Sequence, residues 1–278
     1  MAKGTSRLRR AVGVMAVAAG PVWGQSVVLQ VKPHVGDTLR MRLDQQTEMT
    51  GVRRTASGEA SAMVMNSMKM FSRAIVEAAA EKGTTLLAIT DSVLLTTSDD
   101  HTRAANNAAA LHMRGQRVQF RVTPDGMVAM SQGGDGTREV AQVVSLMPAA
   151  FPKAAIAVGE SWVREMPLPT GAQFGAQLSG RLHVTFRLDS LAHGGDWAFI
   201  SMRGEMQPAT GPGAASETVL EKGVVNGTML MDQRRGWLTE SWFSIIVSSV
   251  VTPPAASGVL SLHTQTRITQ HMRTADRR

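Results

Sequence analysis

Val35-Gly36-Asp37-Thr38-Leu39 is the stretch that decides how this chain is read. A glycine, an acid and a hydroxyl residue lead into a run in which Leu39, Met41 and Leu43 alternate with Arg40, Arg42 and Asp44. Period two with one apolar face marks a half-buried antiparallel strand. The same arrangement returns as Val158-Gly159-Glu160-Ser161-Trp162. Two such turns, each opening strand-like sequence, predict a mainly β protein. Its expected form is two tandem antiparallel β-meander repeats making a curved sheet or half-barrel. Asp37 and Glu160 are then matched turn residues, not a catalytic pair.

Downstream of the first turn, Gly51 to Ser61 is small and polar and reads as a loop. Met63, Met65, Met68 and Met70 follow, and a bulge at Asn66-Ser67 would bring all four to one face. Ala74 to Lys82 has helix-forming residues, but Arg181 to Asp189 alternates cleanly at the matching place, so both read as hairpin strands. Thr96 to Gly115 reads as a loop with one helical turn. Arg117 to Thr123 is a strand that turns at Pro124-Asp125-Gly126, matched by Thr228 to Asp232 turning at Arg234-Arg235-Gly236. Thr137 to Phe151 carries Val140, Val143, Val144 and Met147 at helical spacing, one short helix between the repeats. Pro167 to Ser179 and Gln207 to Gly223 read as loops, and Gly258 to Met272 as the last strand. The expected division is residues 1–24, 25–150 (first repeat and trailing helix) and 151–278 (second repeat).

Residues 1–24 read as a secretory signal. Lys3, Arg7, Arg9 and Arg10 precede the short apolar run Ala11 to Ala19, which falls short of the ~20 residues of a spanning helix. That predicts a periplasmic or secreted bacterial protein with no transmembrane segment once the signal is gone. Of 29 Lys and Arg, four belong to the signal, leaving 25 against 22 acids, a net charge of +3. Without basic clusters interleaved with aromatics, nucleic acid is not an expected partner. The absence of cysteine excludes disulfides, thiolate catalysis and iron–sulfur or zinc-thiolate centres.

Val35 to Thr38, Met63 to Met70, Ser72 to Val93, Pro124 to Gly126, Thr137 to Ala150, Phe151-Pro152 and Val158 to Trp162 follow one another in an order that resembles a family of exported bacterial β-rich proteins. That resemblance implies no defined activity and no catalytic residues. In architecture the chain is more loosely similar to periplasmic lipoprotein carriers, whose curved antiparallel sheet covers an apolar cavity.

Chemistry is sparse in the sequence. No Gly-x-Ser-x-Gly elbow exposes a nucleophile. The seven histidines form no His-x-x-x-His pair, and His263 and His271 would lie ~26 Å apart along a strand. Asp99-Asp100-His101 is a loop-borne acid–histidine run, and Gly133-Gly134-Asp135-Gly136 lacks the Lys-Ser/Thr of a phosphate loop. Methionine stands out, 18 against 7 Phe and no Tyr. The Met63, Met65, Met68, Met70 cluster has three readings: Cu(I) ligands, an adaptable lining for apolar chains, or core filler. Trp162, Trp197, Trp237 and Trp242 all fall in the second half, as core anchors or as the aromatic rim of a binding mouth. The expectation is a non-enzymatic protein without a cofactor. Its partner would be a lipid or other apolar or amphipathic small molecule, or an envelope protein, with Met63, Met65, Met68, Met70, Trp197 and Trp237 as candidate ligand-binding residues. The alternatives are an envelope structural module without a cavity, or Cu(I) binding.

Overall fold

The computed structural model describes residues 26–132, 151–167, 180–208, 218–251 and 259–275. The first half supplies β1 (Ser26–Val27), β2 (Thr38–Thr55), β3 (Gly58–Ala80), β4 (Gly83–Thr97), the helix α1 (Asp100–Met113), β5 (Arg117–Val122) and β6 (Val128–Gln132). The second supplies β7 (Ile156–Ala157), β8 (Ser161–Pro167), β9 (Gly180–Ala192), β10 (Trp197–Pro208), β11 (Thr218–Asp232), β12 (Trp237–Val251) and β13 (Val259–Ala275). One antiparallel sheet of eleven strands runs in the order β6-β5-β4-β3-β2-β13-β12-β11-β10-β9-β8. It is open, mainly β as the alternation predicts, and both halves feed one apolar core.

The two glycine turns are built alike. Gly36 and Gly159 hold φ near +88° and +90°, the left-handed region that suits glycine. The Gly36 N–H donates to Val76 O at 2.9 Å and the Gly159 N–H to Leu188 O at 2.7 Å. In return Asp37 O and Glu160 O accept from the N–H groups of Val76 and Leu188. Each acid side chain also accepts from the N–H three residues earlier, His34 and Ala157. So β2 locks onto β3 and β8 onto β9 by the same bonds.

β13 joins the halves. It pairs with β12 on one side and β2 on the other. Strand direction alternates across an antiparallel sheet, so β12 and β2 run the same way and need an opposed strand between them.

A strap of chain, residues 28–35, shows how strongly the sheet curls. Val31 N–H donates to Pro124 O, in the β5–β6 turn, and Lys32 N–H donates to Gly236 O, in the β11–β12 turn, both at 2.8 Å. β5 and β11 stand six positions apart, roughly 29 Å in a flat sheet. Adjacent residues can touch both turns only if the sheet bends around them. Leu29, Val31, Phe151 and Ile156 are buried at this end, and β1 pairs with β7 beside them.

The concave face carries the core. Leu39, Met41 and Leu43 share it with Ala74, Ser72 and Met70 across β3, and with Met272 and Ile268 on β13. Methionine fills gaps there. Met206 Cβ and Cγ come within 2.5 Å of where a side chain on Gly223 would begin, and Met202 covers Gly227 in the same manner. Phe186 is fully buried and stacks on Trp162 with ring centroids 5.4 Å apart. Truncation of Phe186 to Ala is expected to cost about 3 to 5 kcal/mol in chemical denaturation. A loss below about 1 kcal/mol would mean that this packing is not formed.

Several local expectations are corrected. Gly51 to Ser61 is not a loop: β2 and β3 run through it and turn at residues 56–57. This end of the sheet is exposed, so its strands need no apolar alternation, and the ladder to β13 holds them. No bulge occurs at Asn66-Ser67, because β2 and β3 keep one register throughout; the irregularities lie against β4, at Phe71/Ser72 and Val76/Ala78. Thr96 to Gly115 holds a full helix, hidden because Met113 is its buried residue and no apolar stripe marks it. β11 begins at Thr218, inside the stretch read as a loop. The signal, the helix at Thr137 and the loop after Pro167 fall outside the described residues, except for Phe151 and Pro167 themselves.

Candidate functional site

The unbroken β2–β3 register divides the methionine cluster. Met68 pairs with Gln45 and Met70 with Leu43, on the concave face; Met65 pairs with Glu48 and Met63 with Thr50, on the convex face. Met70 is buried and Met68 half-buried, while Met63 is 63% exposed. Four thioethers on two faces do not converge on one ion, which removes the geometric basis of a four-Met Cu(I) site. Asp99 has a local role: its side chain accepts from His101 N–H and caps α1.

Away from the strap, the concave face opens. Val64, Met68, Val93 and Leu95 are half-buried there. Met68, Gln45, Gln270 and Phe243 form one row across β3, β2, β13 and β12. Gln270 is 1% exposed, and the side-chain carbonyl oxygens of Gln45 and Gln270 are buried with no hydrogen-bond partner among the described residues. A buried acceptor left unmatched is costly, so it favours any donor that reaches it.

The convex face is charged. Arg42 and Asp44 pair at 2.8 Å, which raises the Arg42 pKa above its ordinary value, and Arg42 also lies over the Phe71 ring. On neighbouring strands Glu240 bonds His271 at 2.7 Å and Arg273 at 3.1 Å. The His271 hydrogen bond is the main cause that holds the Glu240 carboxyl below its usual range. A depressed carboxyl stabilises the fold above its unfolded pKa and loses that contribution as pH falls through the folded value. Glu240→Gln should therefore cost about 0.5 kcal/mol at pH 6, small because the group is 45% exposed, and progressively less as pH falls toward 3. Denaturation at the two pH values checks this; an equal cost at both would contradict it. An apolar inside and a charged outside reverse the pattern of a transmembrane β-barrel. Among the described residues, no helix is long and apolar enough to cross a membrane.

At the strap end lies a cleft of about 550 Å³, lined by His34, Asp37, Asp196, Trp197, Arg234 and Arg235 with neighbours from β2, β11 and β13. Trp197 lines this cleft, whereas Trp237 is 4% exposed and packs in the core. The cleft's charges were not legible as a group, since three separate segments bring them together. Arg234-Arg235 alone was visible, as a basic pair.

No protein-family model matches the chain, and no curated protein matches its sequence. Solved structures do. A structure of lipovitellin, solved for its lipid–protein interactions, aligns with a TM-score of 0.53 at 11% identity, covering 87% of this chain and 25% of that one.

The chain is similar in fold to part of lipovitellin.

It spans a quarter of that protein's length. A domain of an outer membrane lipoprotein-sorting protein from Vibrio parahaemolyticus covers 84% of this chain and 83% of its own at 10% identity, with a TM-score of 0.13. A protein of an unassigned-function family from Desulfovibrio piger covers 83% and 85% at 8% identity, with a TM-score of 0.15. At such scores these two carry no argument.

Proposed function

We propose that this is a non-enzymatic binding protein of the bacterial envelope, holding an apolar or amphipathic molecule against the open end of its concave face. One observation carries the reading: Val64, Met68, Val93 and Leu95 stay half-buried on an otherwise packed apolar face. Methionine there adapts to irregular chains. The unmatched carbonyls of Gln45 and Gln270 would receive a donor from an amphipath. The fold likeness to part of lipovitellin, a protein with lipid–protein interactions, is in keeping with this. A charged convex face fits export into water.

The test is titration with N-phenyl-1-naphthylamine, beside native mass spectrometry of protein isolated from its own host. Met68→Lys should weaken dye binding at least tenfold, and Met65→Lys, on the other face, should leave it unchanged. Equal affinity in both variants, with no apolar molecule co-isolated, would refute the proposal.

A further inference from the structure

The cleft at the strap end has a chemistry different from the concave face. We propose that it binds a neutral sugar, through stacking on Trp197 and hydrogen bonds to its carboxylates and guanidinium groups. Its size, about 550 Å³, lies within the range of small-molecule sites.

Charge excludes the simpler ligands. Asp37, Asp196 and Asp232 face Arg234 and Arg235, with His34 beside them. Three carboxylates against two guanidinium groups give no preference for a phosphate or a carboxylate, and the guanidinium groups disfavour a simple cation. A neutral molecule rich in hydroxyls uses both kinds of group, since carboxylates only accept and guanidinium groups only donate. Charge-assisted bonds of that kind are the stronger ones.

The carboxylates are held but not saturated. Asp232 Oδ1 accepts from the N–H groups of Arg234 and Arg235, each at 3.0 Å, which fixes the turn. Its Oδ2 stands 3.6 Å from Arg235 Nε. Asp196 Oδ2 is likewise 3.6 Å from Arg234 Nη1, while Asp37 Oδ2 accepts from the His34 N–H at 3.1 Å. The Asp196–Arg234 spacing exceeds a good hydrogen bond, so a hydroxyl can insert between them, and each carboxylate keeps further acceptor sites. Trp197, half-buried in the wall, offers an apolar surface to the C–H side of a pyranose ring.

The full chain is tested by saturation-transfer NMR with maltose, cellobiose and N,N′-diacetylchitobiose, and with sodium phosphate and glucuronate as competitors. At least one sugar should show transfer, lost in Trp197→Ala and weakened at least fivefold in Asp196→Asn. Arg267→Gln, on the convex face, should keep it. Dodecyl maltoside below its micellar concentration separates the sources: tighter binding than maltose points to a glycolipid head, equal binding to a free sugar. No transfer from any of the three sugars, displacement by phosphate, or transfer that survives Trp197→Ala would overturn the proposal. These outcomes are independent of the dye titration, which reads the open end of the concave face.

Discussion

A chain that stops before Val259 will not give a soluble monomer. β13 is the strand of the large sheet that pairs with both halves. Without it, β12 and β2 are left as long free edges that run the same way and cannot make an antiparallel pair. The loss also removes buried Thr266, Ile268, Gln270 and Met272 from the middle of the concave face. Two five-stranded meanders would remain, tied by the strap, each with an exposed edge prone to association. Size-exclusion chromatography should find aggregate. A synthetic peptide of residues 259–275, added during refolding, should restore monomer, and a scrambled peptide should not. A truncated chain that is monomeric and unfolds cooperatively would show that the halves do not need β13.

Gly236→Ala should be the most damaging single substitution in the strap region, at about 2 to 4 kcal/mol. Gly236 holds φ at +58°, and an added Cβ would stand 2.5 Å from the carbonyl carbon of Lys32. The strap would have to retreat. With it would go the Lys32–Gly236 bond and the adjacent Val31–Pro124 bond. Leu29 and Val31 would lose their burial. Gly194→Ala separates backbone strain from collision, since Gly194 has φ +71° but nothing within 4 Å of the added atom. Its cost should stay near 1 kcal/mol. Denaturant titration gives both figures, and hydrogen exchange at Leu29 and Val31 should accelerate in the Gly236 variant alone. Equal costs would mean that the strap does not rest on this turn.

The sequence was most legible where backbone geometry and residue type are tied together. Gly36 and Gly159 announce themselves because the left-handed turn calls for glycine, and the strands that follow alternate against a half-buried sheet. Face assignment in β3 was misread because Met63 and Met65 are apolar side chains on an exposed face. Thioether residues tolerate water well enough for that to stand, so apolarity did not report burial. α1 stayed hidden for the opposite reason, its Ala and Asn residues requiring little cover. The β2–β13 pairing could not be foreseen from local pattern, since it joins near-opposite ends of the chain and depends on strand direction. The cleft was illegible for a similar reason: Asp37, Asp196 and Asp232 meet only once the turns that carry them are gathered at one end.

The count of eleven has a consequence for how copies of this molecule can meet. An odd number of alternating strands gives the sheet two borders, β6 and β8, that point the same way. A translated copy would set β6 beside β8 in parallel, the slightly less stable ladder. With the concave faces kept on one side, an antiparallel contact requires β8 against β8 or β6 against β6, and that is a two-fold axis. Any sheet-edge association that keeps both antiparallel ladders and one continuous concave face is therefore isologous, and the polarity of the borders works against a head-to-tail fibre of that kind.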